Sequence, residues 1–318
     1  MLTCLDWRIM WLGIVTTLVF TVGGLGEIID SPSLWVNYDL SKLDDALISE
    51  LNRNLLDRGA FLLPGFLSED FLATLQQEVH GAQTARYEKM RTILQDSGDF
   101  SGAFPDDSIR NILFNNSMNF IPRTFFPDDS MIHHFYEGDF FLEFLKLVVG
   151  SSEVYRSADY EGSVTGARGT RQDSYSFAWH FDEHPLGCVL MLNNSKSGGA
   201  MEYINFRSGK FGEERPWDRI EAFFRGEVEE MSRLGSIAAN PSDLYCFLGN
   251  TTLHRVTEIG AGYPEYRAII VMSYAMETGF QHSKAFKETG YWATQEEEEE
   301  SGREGLLPRV TILGKEDL

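Results

Sequence analysis

The stretch YSFAWHFDEHPLGCVLMLNN, residues 175–194, places three ionisable side chains directly before an apolar run. The run resembles a strand that is buried on both faces. His180, Asp182 and His184 stand at its mouth. Side chains two residues apart point to the same face of an extended chain, so His180 and Asp182 are predicted to project together. An imidazole and a carboxylate on one face are two candidate metal ligands.

The third candidate ligand is His254, in GNTTLHRVTEI at the mouth of a later strand. Two histidines and one carboxylate, bound on one side of a metal, are typical of non-haem Fe(II) oxygenases. A catalytic zinc site can use the same ligands, so the three residues leave the metal open. Arg267 favours iron, because an arginine fork at the start of the next strand suits bidentate capture of a carboxylate, here the distal carboxylate of 2-oxoglutarate.

Neighbouring residues have less specific assignments. Tyr175 could contact 2-oxoglutarate or the substrate, or it could pack in the core. His184 follows a tight DEHP turn, and we expect it to support a ligand or face the substrate rather than bind the metal as a fourth ligand. Arg255 directly follows His254, but strand alternation directs it to the opposite face, which favours Arg267 as the co-substrate residue.

The second half of the chain has the pattern of a β protein. From residue 153 onward, short apolar strands are separated by Gly, Asn and Pro, which predicts a β-sandwich or barrel with the earlier helices packed on one outer face. Residues 207–233 interrupt these strands and are expected to be helical after Pro216. That segment is long enough to be a lid.

The first half of the chain is predicted to be mainly helical. Apolar residues at helical spacing predict a helix over 40–59 that begins near Ser41, a second helix capped by Ser68, and a third over 138–150. Residues 84–135 give mixed signals and are expected to be rich in loops.

Taken together, these residues resemble the Fe(II)/2-oxoglutarate-dependent dioxygenase superfamily. The resemblance covers about residues 40–282 and implies a mainly β fold with flanking helices and a double-stranded β-helix (jelly-roll) core. It implies Fe(II) held by His180, Asp182 and His254, with 2-oxoglutarate and O2 as co-substrates and Arg267 as the residue that binds 2-oxoglutarate.

Within the superfamily, WHFDEHPLGCVLMLNNSKSGGAMEYI, LYCFLGNTTLHRVTEI and YRAIIVMSYAMETG are most similar to the bacterial free-amino-acid hydroxylases and halogenases. Halogenases of that family have a small residue where the carboxylate ligand would be. Asp182 fills that position here, so the resemblance implies hydroxylation of an unactivated C–H bond of a small, amino-acid-like substrate, with release of succinate and CO2. A peptidyl or protein hydroxylase of the secretory pathway and a catalytically silent jelly-roll binding module are the alternatives.

Composition excludes one class of partner. The formal charge is −21 and the pI about 4.7, and clustered Lys and Arg are absent from the sequence, so nucleic-acid binding is not expected. Part of the acidity lies in Glu296–Glu300, and residues 295–318 are expected to form a disordered acidic tail. The enzyme domain is predicted over 27–294, with a helical part at 27–152 and the jelly-roll core at 153–282.

The N-terminus and the cysteines bear on the compartment. Residues 1–26 form a hydrophobic segment whose uncharged part, 9–26, is a candidate signal peptide or membrane anchor, which predicts the secretory pathway or membrane anchoring. The protein would be cytoplasmic if that segment is not a signal. Cys188 and Cys246 both lie in apolar runs and are expected to be buried thiols, with a single bridge between them as the alternative.

Overall fold

The computed structural model describes residues 34–39, 43–92, 105, 108–109, 113–170, 177–195, 197–207, 215–259, 266–282 and 309–313. The hydrophobic segment 1–26 and the run Glu296–Glu300 lie outside these ranges. Within them, no helix has the length and apolar character needed to cross a membrane.

Most of the described helices lie in the first half of the chain, and most of the described strands lie in the second half. The helices are α1 (Asp45–Arg53, continued by a π-helical turn at Asn54–Arg58), α2 (Glu69–Gly81), α3 (Met131–Glu137), α4 (Asp139–Val149), α5 (Tyr160–Ser163), α6 (Trp217–Phe224) and α7 (Val228–Met231). A short 3-10 turn spans Arg123–Phe125. The strands are β1 (Ala60–Leu63), β2 (Thr84–Thr92), β3 (Leu113–Pro122), β4 (Tyr155–Arg156), β5 (Val164–Thr170), β6 (Phe177–His180), β7 (Leu186–Asn193), β8 (Met201–Asn205), β9 (Gly235–Ile237), β10 (Leu244–Phe247), β11 (Thr252–Val256), β12 (Tyr266–Ala275) and β13 (Arg309–Leu313).

The strands form two antiparallel sheets. The large sheet has the order β1-β10-β7-β12-β5-β3-β2-β13, with β4 also paired to β12, and the small sheet has the order β6-β11-β8-β9. The chain changes sheet twice near the predicted site. It passes from β6 to β7 through residues 181–185 and from β10 to β11 through residues 248–251.

The helices cover the outer face of the large sheet. Alternate residues of the central strand β7, such as Cys188 and Leu190, point to this face and join the main hydrophobic core. The helices contribute Leu51, Leu55, Phe71, Leu75, Phe141 and Leu145 to the same core. Because β7 is covered on its other face as well, every residue from Leu186 to Leu192 is buried, which explains the unbroken apolar run in the sequence.

The inner face of the large sheet looks toward the small sheet. Val189 and Met191 of β7 belong to a second hydrophobic cluster together with Met201 and Tyr203 of β8. This space between the two sheets contains the candidate site.

The helix of the predicted lid lies on the outer face of the small sheet, and residues 208–214 of that predicted segment are outside the described residues. Ile220 and Phe223 of α6 pack against Trp179, Ile204 and Leu253 on the outer face of the small sheet. The helix therefore covers the back of that sheet and does not close the space between the sheets. Sequence length suggested a lid, but the apolar face of α6 is used to bury the outward side chains of β6, β8 and β11.

Several predicted boundaries change. Asp44, not Ser41, caps α1, since its side chain accepts a hydrogen bond from Ala46 N at 2.9 Å. Ser68 caps α2 and Gly150 ends α4, as predicted. The part expected to be helical, 27–152, also contributes β1, β2 and β3 to the large sheet.

The prediction of a disordered tail over 295–318 is wrong for five residues. Arg309–Leu313 forms β13, which pairs with β2. The tail was predicted from its charge run, but the apolar residues Val310, Ile312 and Leu313 follow that run and favour an extended strand.

A disulfide joins Cys188 and Cys246, which are directly opposed on β7 and β10. The prediction of buried free thiols is therefore wrong, and the alternative of a single bridge is right. Cross-strand register decides the matter, because two cysteines that face each other across an antiparallel pair lie close enough to bond. Register between strands separated by 58 residues is not visible in the sequence.

We expect the Cys188→Ala/Cys246→Ala double variant to be less stable than the wild type by about 2–4 kcal/mol, because the bridge restricts the unfolded chain. Urea denaturation monitored by circular dichroism measures the difference. Thiol titration in denaturant, without reductant, is the companion measurement and should find Cys4 as the free thiol of the full chain. Three titrated thiols would contradict the bridge.

Candidate active site

Two histidines on paired strands form the first part of the candidate site. His180 ends β6 and lies directly across from His254 of β11, with their ring centroids 4.1 Å apart. Each Nδ1 lies close to a backbone carbonyl two residues earlier, at 2.7 Å from Ala178 O and at 2.9 Å from Thr252 O. A carbonyl oxygen can only accept a hydrogen bond, so both Nδ1 atoms carry protons and both Nε2 atoms are left with lone pairs.

Asp182 completes the group from the first crossover between the sheets. Its Oδ1 lies 3.3 Å from His180 Nε2, and its Oδ2 lies 3.5 Å from His254 Nε2. One potential ligand atom from each of the three residues lies within 4.8 Å of the others. The structure therefore brings together the three residues that the sequence predicts as ligands.

Main-chain hydrogen bonds hold Asp182 in place. Its backbone N–H donates to Gly249 O at 3.0 Å, and Gly249 N–H donates to Pro185 O at 3.0 Å. These two bonds tie the crossover at 181–185 to the crossover at 248–251, which leads directly into β11 and His254.

The charges of the site are fixed by burial and by mutual contact. Burial alone would raise the pKa of Asp182, but the neighbouring imidazoles of His184 and His254, together with the close contacts of His180 and His184, hold this pKa well below its usual range. Burial, and next the nearby His180, lower the pKa of His254 to about 3. Asp182 is therefore ionised and His254 neutral at physiological pH, which are the forms that bind a metal cation.

His184 lies beside the three candidate ligands but has different contacts. Its Nε2 is 3.1 Å from Asp182 Oδ2, and its Nδ1 is 3.3 Å from Ser273 Oγ on β12. Both ring nitrogens thus face protein groups, as expected for a residue that supports a ligand.

A cavity of about 110 Å³ opens beside the three residues, between the two sheets. Most of its described wall is apolar and comes from the inner faces of the strands, namely Ala167, Phe177, Val189, Met201, Tyr245, Phe247, Val256, Ile269 and Val271. The polar residues of the described wall are Thr165, His184, Ser273 and His282, and of these His184 contacts both Asp182 and Ser273. The described wall is thus apolar with one polar end.

Arg267 lies further along the same interior face. On β12 it precedes Ile269, Val271 and Ser273 at even spacing, and those three residues line the cavity. Arg267 is fully buried and its Nε donates to Gly199 O at 3.2 Å. Gly199 has φ +70°, and a Cβ there would lie 3.0 Å from Arg267 Cδ, so a side chain at this turn would crowd the arginine.

Arg255 faces outward, as strand alternation predicts. Its Nε donates to Glu202 Oε2 at 2.6 Å, and its guanidinium lies over the Trp179 ring at 4.9 Å. Trp179 packs against Phe223 of α6, so this aromatic ring is a packing residue on the outer face. Tyr175 lies outside the described residues.

Sequence reasoning missed three polar residues of the cavity region. Ser273 lies six residues after Arg267 on the same strand, and this even spacing was a usable signal. His282 and Asp159 form a buried pair, with Nδ1 and Oδ2 3.2 Å apart. They are 123 positions apart, so no local pattern joins them.

The donor set fits Fe(II). Two neutral imidazole nitrogens and one carboxylate on one side, with an open cavity on the other, form the two-histidine, one-carboxylate face that iron oxygenases use. The same set also fits catalytic zinc, so the ligands alone leave the metal undecided. Together with two antiparallel sheets around the site, they define a protein of the non-haem metal-dependent jelly-roll class.

Comparison with known families agrees with this class. A family model described as Halogenase D matches residues 43–293, so the chain belongs to the Halogenase D family. A comparison with curated proteins found no match.

Solved structures show the fold. The non-heme alpha ketoglutarate dependent epimerase SnoN from nogalamycin biosynthesis is 13% identical, with a TM-score of 0.50 over 79% of this chain and 92% of that chain. A 2OG-Fe(II) oxygenase family oxidoreductase from Burkholderia pseudomallei is 11% identical, with a TM-score of 0.48 over 74% and 94% of the two chains. HygX from Streptomyces hygroscopicus, solved with nickel and 2-oxoglutarate, is 12% identical, with a TM-score of 0.46 over 87% and 99%. The likeness to SnoN confirms the predicted double-stranded β-helix with flanking helices.

The pKa values predict how the metal-free protein responds to acid. The pKa of His254 is lower in the folded state than its ordinary value of 6.5, so the unfolded chain takes up this proton first. This contribution to the unfolding free energy is complete above pH 6.5 and is lost as the pH falls toward 3, by up to about 1.4 kcal/mol per pH unit. Asp182, whose pKa is also lowered, adds a loss only below its ordinary value of 3.8.

We therefore expect His254→Gln to reduce the loss of stability between pH 6.5 and pH 4.5. Urea denaturation of the metal-free wild type and variant at several pH values measures this. Parallel curves for the two proteins over that range would contradict the buried, neutral state of His254.

Proposed function

We propose that this protein is an Fe(II)- and 2-oxoglutarate-dependent oxygenase that hydroxylates an unactivated C–H bond of a small, amino-acid-like substrate. One observation carries the proposal. An ionised carboxylate and two lone-pair-bearing imidazole nitrogens meet at the polar end of a mostly apolar cavity, inside a double-stranded β-helix.

In this proposal three residues hold the metal. His180 and His254 bind it through Nε2, because each Nδ1 is engaged with a carbonyl oxygen. Asp182 binds it through its carboxylate. When bound, Fe(II) and 2-oxoglutarate supply the activation of O2 that replaces a C–H bond by C–OH, with succinate and CO2 as the other products.

The remaining residues orient the reactants and exclude water. Arg267 offers a buried guanidinium at the far end of the interior face, which suits the distal carboxylate of 2-oxoglutarate. Ile269 and Val271 line the interior between Arg267 and the polar end, so they would exclude water along that path. A role for Tyr175 in holding 2-oxoglutarate stays part of the proposal.

Asp182 supports hydroxylation over halogenation. The resemblance drawn from the sequence places a small residue at this position in halogenases, which leaves room for a halide ligand. Here the position carries a carboxylate 3.3 Å from His180 Nε2. The family match therefore shows that the chain belongs to the Halogenase D family, whereas Asp182 is the reason for proposing hydroxylation.

A peptide is the alternative to a small, amino-acid-like substrate. The apolar wall suits the side-chain carbon atoms of either substrate. A silent binding module is disfavoured, because buried ionisable groups are costly to keep without a ligand.

The disulfide supports the secretory pathway as the compartment in this proposal. Structural disulfides persist in oxidising environments and are rare in the cytosol. The bridge between Cys188 and Cys246 therefore agrees with a signal or membrane anchor in residues 1–26.

The test compares two arginines. We expect Arg267→Gln to raise the 2-oxoglutarate concentration needed for half-maximal binding on the order of 100-fold, because it removes a charge-assisted pair with the distal carboxylate. Calorimetric titration of 2-oxoglutarate into the metal-loaded protein measures the change. Succinate release with a panel of free amino acids and short peptides then identifies the substrate class.

Arg255→Gln is the matched control. It removes an arginine next to His254, but one that pairs with Glu202 on the outer face, so 2-oxoglutarate binding should stay as in the wild type. Equal weakening by both substitutions, or by neither, would contradict the assignment of Arg267.

A further inference from the structure

We infer that His184 is a positioning residue for Asp182: it holds one carboxylate oxygen by a hydrogen bond, so that Asp182 presents the other oxygen to the metal. This inference rests on the proposed function, because it concerns the same metal site. It assigns a role to a buried histidine that the three-ligand set does not use.

The two oxygens of Asp182 face different imidazoles. Oδ1 lies 3.3 Å from His180 Nε2, whereas Oδ2 lies 3.1 Å from His184 Nε2. Oδ2 is also 3.5 Å from His254 Nε2, which is farther than its distance from His184. His184 therefore approaches one oxygen of Asp182, and the other oxygen is directed toward His180.

The proton on His184 follows from its neighbours. An ionised carboxylate can only accept a hydrogen bond, so in this inference the proton that faces Asp182 Oδ2 is carried by His184 Nε2. Nδ1 then accepts from the hydroxyl of Ser273, 3.3 Å away. Ser273 is itself fixed, since Tyr136 Oη donates to its backbone carbonyl at 2.8 Å.

The backbone is shaped to allow this contact. A Cβ at Gly249 would lie 2.9 Å from Asp182 Cβ and would overlap His184 O, and a Cβ at Gly187 would lie 2.7 Å from His184 Nε2. Side chains at either glycine would displace the imidazole or the carboxylate. The close approach of His184 to Asp182 is thus built into the turn DEHPLG.

The consequence concerns the free positions on the metal. A carboxylate that binds the metal through one oxygen would leave more room there for 2-oxoglutarate and O2 than one that binds through both oxygens. A carboxylate released from His184 could turn and bind through both oxygens, which would occupy one more position. Groups that orient metal ligands typically change metal affinity or activity 10–100-fold when they are replaced.

The experiment uses Co(II) as a spectroscopic probe in the full-length protein. We expect His184→Phe, which keeps a planar ring but has no donor, to weaken Co(II) binding 10–100-fold and to change the visible Co(II) spectrum. His184→Gln retains an N–H donor and should recover most of the affinity and the wild-type spectrum. Ser273→Ala should give a smaller change in the same direction, since it removes only the partner of Nδ1.

His133→Phe is the matched control, because it replaces another buried histidine, on α3, that is not among the described residues of the cavity wall. It should bind Co(II) as the wild type does. Circular dichroism establishes that each variant is folded. If His184→Phe does not fold, Ser273→Ala decides: weaker Co(II) binding supports the role, and wild-type affinity and spectrum overturn it.

The possible outcomes distinguish failure of the proposed function from failure of the positioning role of His184. If the wild type does not bind Co(II), the proposed function fails. If the wild type binds but folded His184→Phe, or Ser273→Ala where His184→Phe does not fold, matches its affinity and spectrum, the metal site stands and the positioning role of His184 is wrong. Equal loss in His133→Phe and His184→Phe would also overturn the role, because the effect would then come from a general disturbance of the fold.

Discussion

The geometry of the site depends on a tie of two main-chain hydrogen bonds between the crossovers at 181–185 and 248–251. Asp182 N–H donates to Gly249 O, and Gly249 N–H donates to Pro185 O. One crossover carries Asp182 from the small sheet toward the large one, and the other returns the chain to the small sheet just before His254. Without this tie, the carboxylate and the second histidine would be placed by separate loops, and their separation would vary with each loop.

The surrounding layers make the tie rigid. The large sheet is packed on its outer face by the helices, and the small sheet is packed on its outer face by α6. Both crossovers therefore connect strands that cannot shift without disturbing a packed core. The disulfide adds a covalent link between β7 and β10, the two strands of the large sheet that adjoin these crossovers. The layers thus explain why three ionisable groups can be held together although each is costly to bury.

The sequence predicts much of this arrangement, for identifiable reasons. Strand alternation turns Arg255 away from Arg267, and the structure agrees. His180 and Asp182 also lie together as predicted, but Asp182 stands beyond the end of β6, so its hydrogen bond to Gly249 places it and not strand alternation. Local rules fail where register between distant strands decides, as it does for the disulfide. They also fail for α6, because an amphipathic helix looks the same whether it covers a cavity or the back of a sheet.

The central claim is that Fe(II) and 2-oxoglutarate bind together at His180, Asp182 and His254. Anaerobic addition of Fe(II) and then 2-oxoglutarate to the purified protein, followed by visible absorption, tests it most directly. The account predicts a metal-to-ligand charge-transfer band that requires both additions and is lost in His254→Ala. A folded protein that binds Fe(II) tightly but gives no band at saturating 2-oxoglutarate would contradict the account.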